Sequence, residues 1–140
     1  PRIRAAGMDF SYHNHNHEFK RIEQGRTWLS LLYETAPADL LKAELDTYWV
    51  TAGGGSPEAW IRKLGRRQPL LHLKDMCIGP ERDQRFAAIG CGNLDWPGIF
   101  AAAEAVGVEY FLVEQDLCYG RDPFDELASS YRFLASQGYR

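Results

Sequence analysis

The sequence is short of four things, and each shortage excludes something. Cysteine is scarce. Cys77, Cys91 and Cys118 form an odd set of 3 with no C-x-x-C spacing, which argues against a disulfide framework or a zinc knuckle and points to a reducing cytosol. Long apolar runs are missing: no stretch approaches the ~20 residues needed to cross a bilayer. No apolar segment follows Pro1-Arg2-Ile3-Arg4, as a secretory signal would require. Charge of one sign is not in excess. With 16 Lys+Arg against 19 Asp+Glu the formal net charge is -3, which lacks the basic footprint of a nucleic-acid binder. Length is the fourth shortage, because 140 residues fall well below the roughly 250 of a complete (β/α)8 barrel. What is present suffices for a core. Hydrophobic residues make up 45% and aromatics 13%, so a disordered chain is excluded and residues 1–140 are expected to form a single domain.

Hydrophobic periodicity divides the chain into four similar pieces. Gly7 to Phe19 reads as a strand running into a polar loop, and Thr27 to Thr35 has helical spacing with Trp28, Leu31 and Leu32 on one face. Leu40 to Val50 reads as a second strand. Ser56 and Pro57 then open a helix carrying Trp60, Ile61 and Leu64. Pro69 to Met76 is a third strand, followed by a long loop to Asn93 or Asp95 and a helix closed by Gly107. Val108 to Gln115 is a fourth strand. Asp122 and Pro123 start a last helix with Phe124, Leu127, Tyr131 and Leu134 as its apolar stripe. Strands alternating with helices imply an α/β fold: four consecutive βα units with parallel strands. Trp28, Trp60 and Trp96 read as packing residues, and the three cysteines as ordinary buried thiols.

Polar groups recur where each strand ends. The first strand offers His13, His15, His17 and Glu18; the second Glu44 and Asp46; the third His72, Lys74 and Asp75; the fourth Glu114 and Asp116. Buried parallel strands normally read as near-continuous apolar runs, so polar C-terminal ends point to the active-site face. Side chains at i and i+2 share a strand face. One group per strand gives the set His13, Asp46, His72 and Glu114, two imidazoles and two carboxylates suited to a divalent transition metal. Any one of these residues alone is more simply a structural or capping group, and the recurrence on four strands carries the metal reading. Glu44 reads equally well as a partner of Lys42, and Trp49 as the wall of a ligand pocket.

In order along the chain, Tyr12-His13-Asn14-His15, Glu44-Leu45-Asp46-Thr47-Tyr48-Trp49, His72-Leu73-Lys74-Asp75, Gly90 to Trp96 and Val113-Glu114-Gln115-Asp116 resemble the C-terminal half of the xylose isomerase-like TIM-barrel superfamily. Within it, the resemblance is to the sugar phosphate isomerase/epimerase branch that includes inosose dehydratase. The resemblance implies the C-terminal half of a (β/α)8 TIM barrel. It also implies one divalent metal ion (Mn, Co, Mg or Zn) held by His13, Asp46, His72 and Glu114, with His13 standing where many relatives have Glu. That change leaves His13 and His15 both open as the ligand. The family's E-x-H pattern implies His15 as general base, and its H-x-K pattern implies that Lys74 contacts a substrate oxygen or acts as an acid. Glu18, Trp49 and Asp116 are the candidates for substrate contact, with the Gly90-Cys91-Gly92 loop beside them.

The parts define a first chemical step. A metal chelating a ketone and its neighbouring hydroxyl stabilises the enediolate formed on α-proton loss, and an imidazole ionises near neutral pH, as a general base should. The expected partner is a sugar, sugar phosphate or cyclitol, and isomerisation, epimerisation and dehydration remain as exits. Three other classes compete, among them a simple metal-storage site, which would avoid a cation such as Lys74. A non-catalytic sugar-binding or regulatory half-barrel would have no need of a complete ligand set. An abasic-site endonuclease would carry a further His where Trp49 stands, and a more basic chain. The start at Pro1 without a Met favours a fragment of a longer protein; the alternatives are self-association or a complementary half-barrel subunit, either of which would cover the open strand edges.

Overall fold

Helices form where the sequence caps them. The computed structural model describes residues 2–139. In chain order it contains α1 (Arg2–Ala5), β1 (Ser11–His13), α2 (Trp28–Thr35), β2 (Lys42–Asp46), α3 (Thr47–Ala52), α4 (Pro57–Leu64), β3 (Leu70–Leu73), β4 (Asp75–Ile78), β5 (Gln84–Ala87), α5 (Trp96–Val106), β6 (Tyr110–Val113) and α6 (Pro123–Ser136). The Thr27 hydroxyl accepts from the Ser30 N–H and Ser30 reciprocates, a capping box for α2. Ser56, Asp95 and Asp122 cap α4, α5 and α6, each with Pro in the first turn. Gly107, at φ 79°, ends α5 in the left-handed conformation that its missing Cβ permits.

β1, β2, β3 and β6 form one parallel sheet in that order. Alternation sorts their side chains. Ala43, Leu45, Leu71 and Leu73 are fully buried against Leu29, Ile61, Ile99, Ala102 and Ala103 of the helices. The opposite face carries Ser11, His13, Glu44, Asp46 and His72, which bond to one another across the strands. One face of the sheet therefore packs the core, and the other gathers the polar side chains.

The structure corrects the sequence reading in several places. The second strand stops at Asp46 rather than Val50, because the Asp46 carboxylate accepts from the Trp49 N–H and turns the chain into α3. The loop after the third strand contains an antiparallel hairpin, β4 with β5. On α2 the buried residues are Leu29, Ser30 and Tyr33, and Trp28 is half exposed. On α6 only Leu134 of the expected stripe is buried; Phe124, Leu127 and Tyr131 are exposed. Cys91 is exposed, and Cys77 and Cys118 are half-buried. No helix among the described residues is long and apolar enough to cross a membrane.

Candidate metal centre and active site

The parallel register brings the strand ends together. Asp46 lies opposite His72, and Glu114 follows Val113, the partner of Leu73. His13, Asp46, His72 and Glu114 each present one ligand atom, all within 4.8 Å of one another. His13 Nε2 is 3.1 Å from Asp46 Oδ2, and His72 Nδ1 is 2.9 Å from Glu114 Oε2. Atoms sharing an ion at about 2.0–2.2 Å stand about 3 Å apart, so these residues fit a divalent metal in spacing and in donor type. Among the two first-strand candidates, His13 enters this set.

Lys74 sits in the middle of the carboxylates. Its side chain is 2% exposed, and Nζ lies 3.4 Å from Asp46 Oδ2, 3.1 Å from Glu114 Oε2 and 3.0 Å from Asp116 Oδ1. Burial opposes its charge, but the Asp46 field and the bonds to Asp116 and Glu114 prevail, holding the ammonium pKa above its ordinary value. Burial likewise raises the Glu114 pKa, and the bonds from Lys74 and His72 outweigh it, leaving it below the usual value. The Asp46 hydrogen bond, working against burial, holds the His13 pKa above its ordinary 6.5.

His15 lies beyond β1 on an exposed loop, its ring 5.2 Å from that of His13 and 5.4 Å from that of Trp49. The Trp49 ring lies beside the cluster, 5.6 Å from Lys74 Nζ. Asp116 reaches the site through Lys74. Glu18 differs from its expected part: it is buried, with Oε1 taken by the Tyr12 hydroxyl at 2.6 Å and Oε2 by the His15 N–H at 2.9 Å. It holds the His15 loop in place. His17 extends this group, and the ligand atoms of His15, His17 and Glu18 also lie within 4.8 Å of one another.

Several functional positions escaped the sequence reading. Asn14 is fully buried and its Oδ1 accepts from the Asp46 N–H at 3.1 Å, tying the first two strand ends. Phe86 of the unforeseen hairpin stacks on Tyr48 at 4.2 Å and meets Trp49 edge-on at 5.8 Å. Asp75 takes no part in the site. Its buried carboxylate accepts from the Met76, Gly90 and Gly92 N–H groups and from Trp96 Nε1, so the Gly90-Cys91-Gly92 loop is wrapped around it.

This arrangement of four parallel strand ends has solved counterparts. A sugar phosphate isomerase/epimerase from Parabacteroides distasonis ATCC 8503 matches 94% of this chain at 29% identity and a TM-score of 0.80, with 46% of its own length covered. The chain has the fold of half a xylose isomerase-like TIM barrel. A xylose isomerase domain protein from Planctomyces limnophilus matches 95% of this half-barrel at 16% identity and a TM-score of 0.67, with 46% of its length covered. An L-ribulose 3-epimerase matches 96% at 20% identity and a TM-score of 0.64, with 48% covered. The half-barrel thus spans about half the length of each. No family model matches the sequence, and no curated protein matches it.

Proposed function

We propose that this chain is the C-terminal half of a barrel that isomerises or epimerises a sugar or a related cyclitol with the help of one divalent metal. One observation carries the reading: side chains from four successive parallel strands bring ligand atoms within 4.8 Å of one another, with a buried lysine among them. The solved sugar phosphate isomerase/epimerase at 29% identity supports it. His13, Asp46, His72 and Glu114 would hold the ion, which supplies Lewis acidity at a carbonyl and its neighbouring hydroxyl.

The protein's own groups do the rest. His15 stands at the rim of the site, stacked on His13 and tilted against Trp49, and takes the α-proton. Lys74 carries a fixed positive charge and stabilises the oxyanion that develops as that proton leaves. Its three carboxylate neighbours keep the ammonium in place. The rings of Trp49 and Phe86 flank Lys74, at 5.6 and 5.7 Å from Nζ. Return of the proton to the neighbouring carbon isomerises the substrate, and return to the opposite face epimerises it. Loss of a β-hydroxyl instead gives a dehydratase.

Metal analysis of the completed barrel with an Asp46→Ala variant tests this reading. The wild type is expected to hold about one divalent ion per site and the variant to lose both ion and activity. A wild type without ion, and a variant with unchanged behaviour, would leave a non-catalytic sugar-binding half-barrel.

A further inference from the structure

Glu44 stands beside the ligand set without joining it. It lies two residues before Asp46 on the same face of β2, opposite His13 in the register. The two ring nitrogens of His72 each face a carboxylate: Nδ1 is 2.9 Å from Glu114 Oε2, and Nε2 is 2.7 Å from Glu44 Oε1. A neutral imidazole carries a single N–H, so the two nitrogens must divide the tasks of donor and ligand. The surroundings decide the division. Glu114 Oε2 belongs to the ligand cluster and already receives Lys74 Nζ at 3.1 Å. Glu44 has no lysine or arginine within salt-bridge reach among the described residues, and its other oxygen accepts the Ser11 hydroxyl proton. Nor is Glu44 paired with Lys42, the partner its sequence neighbourhood suggested.

We infer that Glu44 is a positioning residue for His72. It holds the imidazole proton on Nε2 and leaves the Nδ1 lone pair facing the ion position beside Glu114. A carboxylate that takes the outer N–H of a ligating histidine fixes both its tautomer and its ring plane. Ser11 steadies Glu44 in turn, so the chain of bonds runs Ser11, Glu44, His72 from the first strand to the third. The inference rests on the metal reading of the site.

Zinc titration against a chromophoric chelator, together with ¹⁵N shifts of the His72 ring, tests it in the full chain assembled with the half that completes its barrel. Glu44→Gln is expected to weaken zinc binding roughly 10- to 100-fold and to move the His72 shifts away from the pure Nε2–H pattern. Glu44→Asp should recover part of the affinity. A merely structural role would lower the unfolding midpoint and leave the ring shifts alone. Where Glu44→Gln fails to fold, Ser11→Ala decides, with a smaller loss of affinity expected. Unchanged zinc affinity and an unchanged tautomer in the variant that folds overturn the inference while leaving the metal reading intact. A wild type that binds no zinc overturns the metal reading, and the inference falls with it.

Discussion

Asp46 does two jobs with one carboxylate. Oδ1 caps α3 through the Trp49 N–H at 2.8 Å, and Oδ2 faces His13 and Lys74. The end of a strand, the start of a helix and a candidate ligand position therefore coincide at one residue. His13, His72 and Glu114 were legible for a related reason: polar residues at the ends of apolar strands stand out. Glu18, Glu44 and Asn14 were not legible, since their roles depend on partners met only after folding. Glu18 gives a pH prediction. Burial pushes its pKa up, but the bonds from Tyr12 and from backbone N–H groups hold it below the ordinary 4.5. The folded chain thus binds this proton less readily than the unfolded one. Its contribution to stability is complete above the ordinary glutamate value and is lost as pH falls through the depressed one. Unfolding measured by denaturant across the acid range should show Glu18→Gln flattening this limb relative to the wild type. The same bond pushes the Tyr12 hydroxyl up to about 12, so tyrosine ionisation followed in the ultraviolet should place it late.

At the scale of elements, capping and periodicity marked the helices α2, α4, α5 and α6 and the four sheet strands. The hairpin β4–β5 was hidden because Gly79, Pro80 and Asp83 interrupt any alternation. Its place is set at long range instead, by Phe86 on Tyr48 and by the Phe86 N–H donating to the Tyr119 hydroxyl at 3.1 Å. The loop beyond it is organised by Asp75, whose buried carboxylate gathers donors from Met76, Gly90, Gly92 and Trp96. Asp75→Ala strands these donors. It should cost about 3 kcal/mol or more, as buried N–H groups lose their acceptor. Equilibrium denaturation checks this. A loss within the scatter of surface substitutions would show that the loop has another anchor. Gly92→Ala should be damaging too, because its Cβ would overlap the Asp75 carboxylate and the Met76 carbonyl.

At the scale of the molecule, the half-barrel has two unfinished sides. The outer edges of β1 and β6 pair with no strand among the described residues. Apolar side chains crowd both: Met8, Phe10 and Leu40 at one, Tyr110, Phe124 and Tyr131 at the other, with Phe124 81% exposed. This explains why the expected α6 stripe was right as a pattern and wrong as a core. An apolar helix face left exposed beside an unpaired strand edge is the kind of surface that a neighbouring element or subunit covers. Light scattering should therefore find the chain alone self-associated, and a complementary half should convert it to a one-to-one pair. A stable monomer of 15.9 kDa would contradict this.

The proposed function requires these strand ends to abstract a proton next to a sugar carbonyl. Solvent-deuterium incorporation into a ketose or cyclic ketone, followed by NMR with the metal-loaded, completed barrel, tests it most directly. Deuterium is expected at the carbon beside the carbonyl, with the rate cut roughly 10²-fold or more by His15→Ala or Lys74→Met. A fully metal-loaded protein that exchanges no α-proton of any ketose, cyclitol ketone or sugar phosphate would contradict it.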